Sequence, residues 1–184
     1  MKLFFVRHGE SVANANNIVS PLNTPLTNNG MEQSQTIGRA LIDKKATMIV
    51  CSPLLRSRQT AGIIANILKI STKDIRIINE LQERYLGKLE GLPRQHEIEF
   101  YYKANTDNGL ESRKSLIDRM SQALMKIKLI SKKTKGNVII VGHCVSGFYL
   151  LQVAKGNLNF KNFDPITHMS NGDIDVLNYN TTNK

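Results

Sequence analysis

Val138 to Val141 is an unbroken run of β-branched apolar side chains, and it closes on Gly142-His143. A strand that is apolar at every position has both faces buried, as in a central parallel strand covered by helices on each side. Such a strand needs neighbours, and the chain supplies them. Leu3 to Val6, Thr47 to Cys51 and Ile75 to Ile78 are three more short apolar runs, and a last strand is expected around Asp173 to Leu177, after the turn at Asn171-Gly172. Helical stripes fall between them: Ile37, Ala40 and Leu41 behind an N-cap at Thr27, and Ala61, Ile64, Ala65 and Leu68 behind Ser52-Pro53. Two more follow, Leu116, Met120, Ala123, Leu124 and Ile127 behind Ser112, and Phe148, Leu151 and Ala154 ending at Gly156. Ser52 reads as an N-cap with Pro53 at the first helical position, and Gly136 as the C′ residue after the Ser112 helix. Strand runs alternating with helices predict an α/β fold of three layers, α/β/α, with a mostly parallel, doubly wound sheet.

At 184 residues, with 41% apolar and 22% charged side chains, the chain is expected to form one domain spanning 1–184, with Asn180 to Lys184 frayed. Residues 92 to 108 carry little pattern; a helix over His96 to Tyr102 is the most that they suggest. The net charge of +10 favours anionic partners, or else reflects a composition rich in Lys. Lys126, Lys128, Lys132, Lys133 and Lys135 read as a solvated helix end whose cations complement the helix dipole. Cys51 and Cys144 make neither a disulfide framework nor a metal motif. Four apolar residues before Arg7 are too few for a signal peptide, and no run approaches the ~18 apolar residues of a membrane span, so a cytoplasmic location is expected.

Polar clusters stand just past the strand ends, where open α/β sheets place their ligands. Arg7-His8-Gly9 follows the first strand: an imidazole beside a guanidinium at a glycine turn is a candidate nucleophile in an anion pocket. Arg56 falls in the first turn of the helix after Ser52. A cation there opposes the helix dipole, so a phosphate or a structural carboxylate should hold it. Glu83 and Arg84 follow the third strand in Leu81-Gln82-Glu83-Arg84-Tyr85-Leu86-Gly87-Lys88-Leu89-Glu90-Gly91. His143 lies between the fourth strand and the next helix, where backbone N–H groups would face the same anion.

These stretches, with Glu10-Ser11-Val12-Ala13-Asn14, Thr60-Ala61 and Gly109-Leu110-Glu111-Ser112, resemble the histidine phosphatase superfamily, which includes the cofactor-dependent phosphoglycerate mutases. The resemblance runs from Lys2 to about Asn178. It implies that His8 attacks phosphorus to form a phosphohistidine, that Arg7, Arg56 and His143 hold the phosphoryl oxygens, and that Glu83 protonates the leaving oxygen. Asn14, Ser20, Arg84, Arg94 and Cys144 are the further substrate-binding candidates that it suggests. Cys144 departs from the family pattern, in which glycine usually follows the second histidine.

No cofactor is implied, and with four histidines, none at ligand spacing, no metal. The expected partner is a small phosphorylated metabolite, acidic or a sugar phosphate. Neither nucleic acid nor membrane is expected, since no aromatic-studded basic strand or recognition helix is present. Two enzyme readings follow, a phosphatase and a phosphoglycerate mutase, with a non-enzymatic anion-binding module as the third. The resembled mutases carry a long insertion between the glutamate segment and the Glu-Ser helix start. Here only about 20 residues separate Gly91 from Glu111, which favours a water-accessible site and a phosphatase.

Overall fold

A computed structural model of the protein describes residues 2–94, 109–134, 136–158 and 169–178. Its strands are β1 (Lys2–Arg7), β2 (Ala46–Cys51), β3 (Ile75–Ile77), β4 (Asn137–Gly142) and β5 (Ile174–Asn178). They form one sheet in the order β3-β2-β4-β1-β5. β1 to β4 pair in parallel, and β5 runs antiparallel along β1, with Phe4 opposite Val176. β4 is central, as its all-apolar sequence requires, and Val138 to Val141 are fully buried.

The helices are α1 (Val12–Ala15), α2 (Asn28–Ala40), α3 (Leu55–Leu68), α4 (Arg113–Lys132) and α5 (Cys144–Ala154). Alternation along each strand divides the core in two. Leu3, Phe5, Val138 and Ile140 face α4 and α5 through Leu116, Met120, Ile127 and Leu150. Phe4, Val6, Ile139 and Val141 face α2 and α3 through Ile37, Leu41, Ala61 and Ile64. The three-layer α/β/α arrangement is therefore present, with the helices on both faces of a mostly parallel sheet. Thr27 and Ser112 cap α2 and α4 by accepting from the N–H groups of Gly30 and Ser115. Gly156 ends α5 in the left-handed region at φ +70°, a conformation that glycine adopts without a Cβ penalty.

Four local expectations need correction. Ser52 is not an N-cap: α3 starts at Leu55, and the Ser52 hydroxyl, 2.8 Å from His143 Nε2, accepts from the Leu54 N–H at 3.3 Å in the bend through Pro53 and Leu54 that precedes the helix. Gly136 is not the C′ residue of α4, which closes at Lys133. Its lack of a side chain serves close packing instead, since a Cβ there would meet Thr47 at 2.6 Å. Ala40 and Ala154 are exposed: Ser34 and Gly38 complete the inner face of α2, and Leu150 that of α5. The region 96–102, Lys135 and the tail 180–184 lie outside the described residues. Among the described residues no helix is long and apolar enough to cross a membrane.

One contact sets the chain leaving β1. A Cβ on Gly30 would lie 2.0 Å from the carbonyl oxygen of Glu10, and one on Gly9 would lie 2.2 Å from that of Gly30. The loop after His8 therefore lies backbone against backbone on the start of α2, and only glycine fits on either side.

Candidate active site

The carboxyl ends of β1, β2 and β4 lie side by side, so the residues following them converge on one cleft of about 130 Å³. All the residues singled out from sequence line it except His143. That histidine is fully buried, its ring edge-on to His8 with centroids 5.0 Å apart.

His8 has its Nδ1 2.7 Å from the carbonyl oxygen of Gly9. A carbonyl only accepts, so Nδ1 carries the proton and Nε2 presents its lone pair, 3.2 Å from the Nε–H of Arg56. Burial, followed by the charges of Arg56 and Arg7, holds His8 well below the usual histidine pKa. The ring is therefore neutral at neutral pH. Desolvation, more than the two guanidinium groups, is the larger cause.

Arg56 is 2% exposed, at the start of α3. Among the described residues no carboxylate is hydrogen-bonded to it, although the charges of Glu83 and Glu90 act on it. Its Nη1 donates to the carbonyls of Pro21 (3.1 Å) and Leu22 (3.5 Å), so the turn-rich loop after α1 supplies the counter-dipoles. Burial brings its pKa down to about 10, still cationic at neutral pH. Arg7 donates from Nη1 to the carbonyl of Met169, while its buried Nε has no hydrogen-bond partner.

The Nε2 of His143 lies 2.8 Å from the Ser52 hydroxyl and 3.3 Å from that of Ser57, and its buried Nδ1 has no partner. Burial, then Arg56, holds its pKa well below the usual histidine value. Asn14 accepts at Oδ1 from the N–H and hydroxyl of Ser11 and from Asn171, which leaves its amide NH2 for a ligand.

Glu83 sits at the amino end of α5. Its Oε1 accepts from the N–H groups of Ser146 (2.7 Å) and Arg84 (2.9 Å), and its Oε2 from that of Val145 (3.1 Å). The helix N–H groups expected to face the anion are thus taken up by the Glu83 carboxyl oxygens. Arg84 and Arg94 line the cleft while their Nε atoms donate to the carbonyls of Glu111 and Ile18. Ser20 and Cys144, the first residue of α5, line it too, the Cys144 thiol 4.0 Å from the carbonyl of Met169.

Three site residues escaped the sequence reading as such. Ser52 reads from sequence as a helix cap, Ser57 carries no signal beyond its place after Arg56, and Glu90 stands only as one residue of the stretch after Glu83. Glu90 lines the cleft, and burial raises its carboxyl pKa against the pull of the Leu86 N–H and Arg56. Among the described residues no three His, Cys, Asp or Glu side chains gather as a metal site.

Residues 3–184 match the family model of the histidine phosphatase superfamily (branch 1). An adenosylcobalamin/alpha-ribazole phosphatase of Escherichia coli is 34% identical over 91 residues, 49% of this chain and 43% of that protein. A 2,3-bisphosphoglycerate-dependent phosphoglycerate mutase of Methanococcus vannielii is 28% identical over 178 residues, 77% of this chain and 75% of that one. The match thus spans less than half of the first relative and three quarters of the second. In fold, the chain resembles a mycobacterial glucosyl-3-phosphoglycerate phosphatase, with a TM-score of 0.79 at 20% identity over 96% of this chain and 90% of the other.

Proposed function

The chain belongs to the histidine phosphatase superfamily, and from that premise we propose that it is a phosphomonoesterase acting on a small phosphorylated metabolite through a phosphohistidine at His8. The observation that carries the reading is the state of His8: a neutral ring whose Nδ1–H is fixed on Gly9, with the Nε2 lone pair beside the Arg56 guanidinium. A nucleophile needs that lone pair, which here meets the Arg56 Nε–H and is released when the guanidinium turns to the incoming anion, and that anion needs the cation beside it.

In the first step the Nε2 lone pair bonds to phosphorus as the P–O ester bond breaks, and protonated Glu83 delivers its proton to the departing oxygen. In the second, Glu83 removes a proton from water, the water oxygen bonds to phosphorus, and the P–N bond breaks to release phosphate and neutral His8. Arg7 and Arg56 supply charge to the phosphoryl oxygens. The partnerless Nε–H of Arg7 and Nδ1 of His143 are the remaining donors for them, His143 once a serine hydroxyl donates to its Nε2. Asn14 and Ser20 add hydrogen bonds. Arg84 and Arg94 on the same cleft support a substrate with a second anionic or strongly polar group.

The test is to trap acid-labile phosphoprotein from wild type and His8→Ala, alongside a screen of phosphorylated metabolites for phosphate release. Undiminished phosphorylation of His8→Ala would place the nucleophile elsewhere. The mutase relative supports a second reading, a phosphoglycerate mutase. Interconversion of 3- and 2-phosphoglycerate far faster than phosphate release, with 2,3-bisphosphoglycerate present, would favour it over the phosphatase.

A further inference from the structure

Arg119 stands on α4 and does not line the cleft, yet its guanidinium is turned wholly toward the segment that carries Glu83. Its Nη1 donates to the carbonyls of Glu80 (2.7 Å) and Gln82 (2.8 Å), and its Nη2 to that of Glu83 (3.4 Å). Nε and Nη2 also fork onto Glu111, at 2.9 Å to Oε1 and 2.6 Å to Oε2. The two side chains are only 21% and 11% exposed, so this bidentate pair is shielded from water and geometrically fixed.

Glu111 continues the same connection. Its backbone N–H donates to the carbonyl of Tyr85 (2.9 Å), its own carbonyl accepts from Arg84 Nε (3.0 Å), and its Oε2 accepts from the N–H of Tyr85 (3.3 Å). The segment from Glu80 to Tyr85 needs such support. After the 3-10 turn at Asn79–Leu81 it belongs to no strand or helix, so no regular ladder fixes its backbone. Every hydrogen bond just given falls on that segment or on the Glu111–Arg119 pair.

We propose that Glu111 and Arg119 are positioning residues for catalysis: a half-buried clamp that fixes the backbone at Glu83 and the guanidinium of Arg84, so that proton donation and anion binding share one rigid support. The inference rests on the reading of Glu83 as the acid. Its physical basis is that proton transfer is lost when donor and acceptor are misplaced by a fraction of a hydrogen bond, whereas folding of the sheet is not.

The test uses the full chain and compares an alkyl phosphate with 4-nitrophenyl phosphate, whose leaving group hardly needs a proton. Arg119→Gln keeps a polar side chain but loses the fork and the charge. The clamp predicts a loss in kcat/KM of about 10- to 100-fold on the alkyl ester, within the range of general acid catalysis, and under about threefold on the aryl ester. In a Glu83→Gln background the same change should add almost nothing, because residues acting as a unit are not additive.

Equal losses on both esters, with Glu83→Gln itself selective, would overturn the clamp and leave Glu83 as the acid. Equal losses on both esters for Glu83→Gln would instead overturn the acid reading, and the clamp's purpose with it. Arg119→Gln leaves the half-buried Glu111 carboxylate without its cation, with only the Tyr85 N–H and the Ser115 hydroxyl as donors, which threatens folding. If that variant does not fold, the paired change Glu111→Gln with Arg119→Gln removes both charges, and the same ester comparison decides the matter.

Discussion

Lowering the pH should unfold this protein earlier than its carboxylates alone would. His8 and His143 are both held well below the ordinary histidine value of 6.5, in each case by burial first and the Arg56 charge second. In the unfolded chain both titrate at about 6.5. Between that value and the lower folded values, the unfolded chain binds up to two more protons than the folded one, so stability falls as pH falls. Each histidine is worth about 1.4 kcal/mol per pH unit in that window, and the pair about 2.7 kcal/mol. Against a typical total of about 5–15 kcal/mol this is a large share. Well above pH 6.5 both rings are neutral in both states, and the effect vanishes.

Urea unfolding followed by circular dichroism, at pH about 7.5, 6.5 and 5.5 and constant ionic strength, would measure this slope against the unfolded histidine pKa. His143→Gln retains one buried histidine and should show about half of it. Subtracting one protein from the other removes the carboxylates and the remaining histidines, which both share. Equal slopes in the two proteins would refute the argument. So would an NMR titration in which the His8 ring of the folded protein gains its proton at about pH 6.5, as an imidazole in open solvent does.

Gly30→Ala should destabilise by at least about 1–3 kcal/mol and lower activity, since its Cβ would strike the backbone beside His8; Gly62→Ala, with nothing within 4 Å, should stabilise by about 0.4–1 kcal/mol, and thermal melts check both. Arg56→Lys loses the Nε–H that meets His8 and should reduce kcat by about 10²- to 10³-fold with the fold retained. Ser52→Ala leaves Nε2 of His143 with only the longer contact to Ser57, and steady-state kinetics should show a loss in kcat greater than any change in KM. Alkylation of Cys144, which lines the cleft half-buried, should inhibit, with substrate protecting; full activity after mass spectrometry shows the modified thiol would contradict this.

The fold was legible where one residue type excluded alternatives. The all-apolar Val138 to Val141 had to be central, and Thr27 and Ser112 had to begin helices, because each hydroxyl satisfies an otherwise orphaned N–H. Ser52 misled for an instructive reason. A hydroxyl before proline favours a helix start locally, but here it accepts from the Leu54 N–H in a bend, with a buried imidazole 2.8 Å away, and the helix begins later. The cleft residues were recognisable as types at strand ends. Their partners were not, because the carbonyls of Pro21 and Leu22, Gly9 and Met169 carry no side-chain signature in a sequence. Glu111 was visible only as a residue before an N-cap, since its pairing with Arg119 depends on a helix turning both toward a loop some thirty residues back.

The hydrogen bonds that the site leaves unmade are as informative as those it makes. Arg56 could stand against the α3 dipole only with acceptors in reach, and two backbone carbonyls and the His8 lone pair meet it. Glu83 could be drawn out of water only where N–H groups await it, and α5 provides them. The Nε of Arg7 and Nδ1 of His143 have no such answer, although a buried polar group without a partner costs about 1–3 kcal/mol. Both belong to residues set beside the His8 ring, with Arg56 between the strand ends. Moving either into water would relieve the cost, but β1 and β4 are adjacent central strands whose packing fixes where these residues emerge. On the proposed reading, the oxygens of a phosphoryl group passing to His8 Nε2 would be acceptors for both at once. The donors would then be preorganised, because they need not reorient when charge develops on the transferring phosphorus.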